Sequence, residues 1–166
     1  NVKTSSGAGN VYSGTGITWA QAAYKEASNH KNVGSDRGVT ETDGDTLVVG
    51  AYKEDSNQTT ITNDNSTASS DNSNSSSGAV YVYKRTGTSW AQEAYIKASN
   101  SEASDGFGYS VALYGDTLAV GASREDSNQT TITNDNSTAS SDNSNRRSGA
   151  VYDYKRTGTT WEQEEY

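Results

Sequence analysis

Hydrophobic residues are sparse along this chain, and where they occur they fall in short runs that alternate with polar positions. Ser110-Val-Ala-Leu-Tyr114 alternates, Gly115-Asp116 interrupts it, and Thr117-Leu-Ala-Val-Gly121 resumes the pattern. A period of two over a short run marks a half-buried strand, and a two-residue break with Gly first marks a hairpin turn. The same signal stands earlier, where Gly44-Asp45 precedes Thr46-Leu-Val-Val-Gly50. A third strand is predicted at Ala79-Val-Tyr-Val-Tyr83 and again at Ala150-Val-Tyr-Asp-Tyr154. These run into Arg85-Thr-Gly-Thr88 and Arg156-Thr-Gly-Thr159, where Gly supports a tight reversal before a fourth strand near each Trp. The predicted unit is four antiparallel strands.

The unit recurs. Trp19, Trp90 and Trp161 are equally spaced, with a period of 71, and the register holds for Asp45 and Asp116, Gly50 and Gly121, and Tyr24, Tyr95 and Tyr166. Tandem units of this kind bury in each copy the face its neighbour leaves open. The spacing divides the chain into a partial unit at 1–35 (strands three and four), a unit at 36–104 with a polar loop at 54–76, and a unit at 105–166 with a polar loop at 125–147. Four-stranded sheets with apolar residues on both faces predict an all-β chain of tandem β-propeller-type blades. Trp19, Trp90, Trp161, Phe107, Leu47, Leu118, Tyr83 and Tyr154 hold fixed places in the unit and are the expected packing core. About two and a half blades fall short of the roughly four to eight that close a ring. The expectation is therefore that further blades of the same protein, or strands of another copy, complete the assembly, and head-to-tail contacts give rings or filaments.

Asp105-Gly-Phe-Gly-Tyr-Ser-Val111 with Gly115-Asp-Thr-Leu-Ala-Val-Gly-Ala122, and Ser77-Gly-Ala-Val-Tyr-Val-Tyr83, resemble the bacterial FG-GAP repeat, which is related to the blades of integrin α-subunit propellers. The resemblance covers nearly all of the chain outside the polar loop. It implies propeller blades and leaves adhesion, ligand binding and scaffolding open. The earlier copy departs from it, with Asp36-Arg37 where the later one has Phe107-Gly108. Asn10 stands where Tyr81 and Tyr152 stand, and Asp153 where Val11 and Val82 stand. These two polar replacements fall on opposite faces of the third strand, and read either as the exposed ends of a short stack or as decay of one copy.

The polar segment EDSNQTTITNDNSTASSDNSN occupies 54–74 and recurs unchanged at 125–145. With few apolar residues and no Pro, its composition predicts flexibility. Asn57, Asn65, Asn74, Asn128 and Asn136 each open an Asn-x-Ser/Thr triplet and are candidate glycan acceptors. Asp55, Asn57, Asp64, Asp126, Asn128 and Asp135, with Asn65, Asp71, Asn136 and Asp142, offer the oxygen ligands that a hard cation such as calcium takes. Blades of the integrin type often bind calcium in an acidic hairpin loop, but here Gly44-Asp45 and Gly115-Asp116 are too short to wrap an ion, and no full D-x-[DN]-x-[DN]-G run occurs. The bland alternative is a bare solvated loop whose acids and amides form Asx-turns.

Composition narrows the function. Only 30% of residues are hydrophobic, so a core depends on their clustering into strands. Net charge is -8 without a continuous basic patch, which argues against nucleic acid or an anionic membrane as partner. There is no Cys for a disulfide or thiolate site, and no run approaches the roughly 20 apolar residues of a spanning helix. His30 is the only histidine, so a Ser-His-Asp or usual zinc constellation cannot be completed around it. Glu54-Asp55 and Glu164-Glu165 are sequence neighbours rather than carboxylates set across a cleft. The sequence thus predicts a non-enzymatic structural or adhesion protein, extracellular or on the cell surface. It would have no certain cofactor and would self-associate through strand edges or further blades. The alternative is a calcium-dependent module binding a protein or carbohydrate as part of a larger closed propeller.

Overall fold

The computed structural model describes residues 8–15, 18–26, 39–63, 71–133 and 142–166, with the backbone alone for the first two segments. Among the described residues ten strands follow one another: β1 (Ala8–Thr15), β2 (Thr18–Glu26), β3 (Val39–Asp43), β4 (Thr46–Ala51), β5 (Ala79–Thr86), β6 (Ser89–Ile96), β7 (Phe107–Tyr114), β8 (Thr117–Ala122), β9 (Ala150–Thr157) and β10 (Thr160–Glu165). They form a two-stranded sheet β1-β2 and two four-stranded meanders, β3-β4-β5-β6 and β7-β8-β9-β10, every pair antiparallel. Among the described residues there is no helix, and hence none long and apolar enough to cross a membrane.

The two hairpin turns are where the alternation breaks: Asp43 pairs with Thr46 and Tyr114 with Thr117, leaving Gly-Asp as the two-residue loop. Strand β7 begins earlier than the alternation suggests. Phe107 already pairs with Ala122 before a register irregularity that resolves at Ser110. The flanking glycines look like a turn in sequence, yet they are part of the ladder.

The faces follow a rule visible by stepping one repeat along the chain. Leu47, Val49, Tyr81, Tyr83 and Tyr95 line one face of the middle sheet as a buried cluster, with Trp90 packed against it. Their counterparts Leu118, Val120, Tyr152, Tyr154, Tyr166 and Trp161 line the corresponding face of the last sheet. There they meet the opposite face of the middle sheet, made by Val48, Val80, Val82, Ala94 and Ile96. Each large buried side chain in this contact is worth about 1.5–3 kcal/mol of transfer free energy. Phe107 anchors it, edge-on to Tyr152 at 5.3 Å and to Tyr154 at 6.1 Å.

The consequence is an asymmetry between the two meanders. In β4 residues 46–50 are all buried because both faces are covered, whereas β8 buries alternate residues only. On the open face of the last sheet Val48, Val80, Val82 and Ala94 are replaced by Ala119, Val151, Asp153 and Glu165. Val151 is 60% exposed there, against 0% for Val80. Asp153 therefore lies on an uncovered face, while the side chain of Asn10 lies outside the described set.

Candidate functional site

The seam between the two meanders concentrates the unusual chemistry of this chain, and it is built first from backbone contact. A Cβ on Gly50 would land on the carbonyl oxygen of Gly108, and one on Gly78 on the carbonyl oxygen of Phe107. Gly108 at φ +83 would meet the Ala79 carbonyl at 2.5 Å. Gly78 and Phe107 form a parallel bridge, with Phe107 N–H donating to Ser77 O at 3.0 Å. Only glycine permits this approach, and at Gly78 and Gly108 a positive φ adds to the requirement.

At the turn end of the seam a β-bulge sets the geometry. Val82 pairs with Ala94 but Tyr83 with Gln92, so Glu93 is the extra residue of β6. The same irregularity falls at the corresponding places of β1-β2 and β9-β10. A bulge re-aims a side chain. The Glu93 Oε1 accepts from the Trp161 indole N–H at 2.9 Å and from Arg156 at 3.1 Å. Arg156 also donates to Thr46 Oγ1 at 3.1 Å and to Asp116 Oδ1 at 2.8 Å, and lies over the Trp161 ring at 5.3 Å. This hydrogen bonding holds the Asp116 carboxyl below its usual range. Gly115 N–H completes the clasp by donating to Asp43 Oδ2 at 2.6 Å.

The loop end carries a buried charge. Lys97 Nζ donates to Ser77 Oγ at 2.7 Å, to Ser56 O at 2.9 Å and to Glu54 Oε2 at 2.9 Å, so each ammonium proton is used. The side chains of Lys97 and Glu54 are 0% and 2% exposed. Burial pushes the Lys97 pKa down, opposed by the Glu54 carboxylate. Ser56 Oγ and Tyr95 OH share a hydrogen bond at 2.7 Å, and burial foremost raises the Tyr95 phenol. In the last sheet Glu125 occupies the position of Glu54 and accepts from Asn100 Nδ2 at 3.0 Å and Ser127 N–H at 2.9 Å. Asp105 sits beside it, its carboxyl pushed up to about 7 by burial first and then by Glu125, Glu102 and Asp126, against the Glu102 N–H it accepts.

The polar loops are tied to this frame in the segments described. Thr62 exchanges two backbone hydrogen bonds of 2.9 Å with Tyr95, and Thr133 exchanges two of 3.1 and 3.3 Å with Tyr166. Each loop thus runs back along the outer strand of its own sheet. Asn63 reaches further: its Nδ2 donates to Trp161 O at 3.0 Å, and its Oδ1 accepts from Trp161 N–H at 2.7 Å. One side-chain amide therefore latches the loop of the middle sheet onto the outer strand of the next. Composition suggested flexible loops; backbone pairing and this latch give the described parts a fixed course.

The expected site residues fall as follows. Trp161, Phe107, Leu47, Leu118, Tyr83 and Tyr154 are buried and Trp90 is half-buried; the side chain of Trp19 lies outside the described set. Of the calcium candidates, Asp64 and Asp135 lie outside the described residues, as do Asn65, Asn136 and His30. Asp55 Oδ1 accepts Ser76 N–H at 2.6 Å, and Asp126 accepts Arg147 N–H in the matching place, so both staple their loops. Asn57 N–H donates to Asp71 Oδ2 at 3.3 Å, and Ser73 and Asn57 hold that carboxyl down, the Ser73 hydroxyl most. Among the described residues no group of three or more acidic or histidine side chains is placed to hold a metal ion. Of the glycan candidates Asn57 and Asn128 are exposed, whereas Asn74 Nδ2 donates to Ser101 O at 3.3 Å. Sequence reasoning missed the roles of Glu93, Lys97, Arg156 and Asn63; the first three stand near the repeat markers Trp90, Tyr95 and Trp161, and no signal marks Asn63.

Four-stranded antiparallel meanders packed face to face through glycine contacts, one Trp strand at the outer edge of each, define β-propeller-type blades. The chain carries an FG-GAP repeat: residues 90–154 match the model of that family. The match runs from β6 across the seam to β9 and so includes Phe107, Gly108 and Asp105. No curated protein and no solved structure matches the chain. FG-GAP repeats build propeller-type binding and adhesion modules, are generally non-enzymatic, and occur in extracellular and surface proteins.

Proposed function

We propose that this protein is a non-enzymatic structural or adhesion protein outside the cell, whose blades stack or complete one another between chains. The observation that carries this reading is the stacking of two like blades: the face of the middle sheet made by Val48, Val80, Val82, Ala94 and Ile96 packs on the face of the last sheet made by Leu118, Val120, Tyr152 and Tyr154. Tandem units bury in each copy the face its neighbour leaves open, so the same face-to-face contact, repeated between chains, builds the assembly of this reading. Asn57 and Asn128, exposed at equal positions of the two loops, are the glycan acceptors of this reading, and an intact mass at the unmodified 17.6 kDa in native material overturns that part.

Sedimentation of the 166-residue chain over a concentration series tests the assembly. The expected result is a set of species heavier than 17.6 kDa whose share rises with concentration. A chain that stays at its monomer mass at every concentration overturns the proposal.

A further inference from the structure

The polar frame at the loop end of the middle sheet is built a second time in the last sheet. Glu54, Ser56 and Ser77 hold the ammonium of Lys97, and one repeat further on the same three places are Glu125, Ser127 and Ser148. The two frames agree bond for bond. The Ser77 hydroxyl donates to Glu54 O or Ser56 O, at 3.2 and 2.9 Å, and the Ser148 hydroxyl to Glu125 O or Ser127 O, at 3.0 and 2.8 Å. Ser56 N–H reaches the Glu54 carboxylate at 3.0 Å, and Ser127 N–H reaches the Glu125 carboxylate at 2.9 Å. Ser56 Oγ shares a hydrogen bond with Tyr95 OH at 2.7 Å, and Ser127 Oγ shares one with Tyr166 OH at 2.6 Å. Gly78 N–H and Gly149 N–H close the frames on the carbonyls of Glu54 and Glu125, each at 2.9 Å.

The charge differs. Glu125 is 2% exposed, and among the described residues its carboxylate meets neutral donors: Ser127 N–H, Asn100 Nδ2 at 3.0 Å and Tyr166 OH. Arg124, Arg146 and Arg147 flank the frame in sequence; all three are exposed, and among the described residues none is ion-paired with Glu125. A buried carboxylate is costly without a counter-ion. Other acids crowd the same end: after burial, repulsion by Glu125, Glu102 and Asp126 is what raises the Asp105 carboxyl. Positive charge is therefore favoured there.

The acceptors also select the cation. A carboxylate has about four lone-pair sites and a carbonyl or hydroxyl oxygen has about two, so Glu125, Ser127 O and Ser148 Oγ each have room for one more donor. Three acceptors around one point suit the three protons of a primary ammonium, whereas a guanidinium spreads its donors in a planar fork.

We propose that Glu125, Ser127 O and Ser148 Oγ form a socket for a lysine ammonium, presented as Lys97 is to the middle sheet, two places beyond the tyrosine of the outer strand. The socket stands apart from the assembly proposed above, because it needs no contact between chains.

The test extends the 166-residue chain after Tyr166 by Ile-Lys-Ala, the residues that follow Tyr95, and compares it with an Ile-Met-Ala extension. The lysine form should melt higher by about 5 °C or more. Glu125→Gln should erase the difference, and Ser148→Ala should shrink it by about half. An Ile-Arg-Ala extension should gain less than the lysine form. With 15N-labelled lysine, NMR of the extended chain should add one slowly exchanging ammonium signal beside that of Lys97, and Glu125→Gln should remove it. Lysine and methionine forms that melt together, a gain that persists in Glu125→Gln, or the lack of an added slow signal overturns the proposal.

Discussion

Replacing Lys97 by Met removes the buried cation at the loop end of the seam while keeping side-chain length and apolar contact. The ammonium makes three hydrogen bonds and an ion pair with Glu54 at 2.9 Å, at zero exposure. The variant takes the cation from the buried Glu54 carboxylate, which keeps the Ser56 N–H at 3.0 Å, the Ser56 hydroxyl at 3.2 Å and the Tyr95 hydroxyl among its partners, and it removes a donor from Ser56 O and from Ser77 Oγ. Breaking a buried pair from one side costs about 3–5 kcal/mol. For a chain of this size each kcal/mol moves Tm by about 2–4 °C, so Lys97→Met should lower it by about 6–20 °C. Much of the loss is a buried charge deprived of its counter-ion rather than a lost contact. The double variant Lys97→Met/Glu54→Gln should therefore be more stable than the single one, as a thermal and urea double-mutant cycle would show. A single variant within about 2 °C of the parent, or a double variant no better than the single, refutes the reasoning.

Other parts of the seam give independent checks. Asp105 has a folded pKa of about 7 against an unfolded value near 3.9, so the fold holds its proton between these values. Its contribution is present at low pH and lost as pH rises through about 7; Tm should fall over that window, and Asp105→Asn should flatten the profile. Gly78→Ala places a methyl on the Phe107 backbone at φ +87 and should cost about 2–6 kcal/mol. Gly87→Ala, at φ +61 with open space around it, should cost only about 1–2 kcal/mol, and equal losses in denaturant melts would contradict the close approach. Asn63→Ala removes both hydrogen bonds to Trp161 and should cost about 1–3 kcal/mol; amide exchange at Trp161 should quicken, and unchanged exchange would count against the latch.

The strands were legible because half-burial writes a period of two, and the faces because equal positions in successive repeats face the same way. The alternation could not reveal that β4 is covered on both sides while β8 is not; that depends on what stacks outside each sheet. Lys97 reads as a surface residue at a strand end, since its burial rests on Glu54, Ser56 and Ser77, which sit in a polar loop. Glu93 points across the seam only because a bulge shifts its register, and a bulge of one residue leaves little trace in a polar strand. Asn63 is hidden for the same reason in reverse: within a run of Asn, Ser and Thr nothing marks the one amide that meets another strand. The loops thus look uniform in composition and differ residue by residue in what they hold.

The central proposal is that blades stack or complete one another between chains, and electron microscopy of the native protein tests it most directly. Continuous filaments or rings built of many chains are the predicted result. Discrete particles of single-chain mass would contradict it.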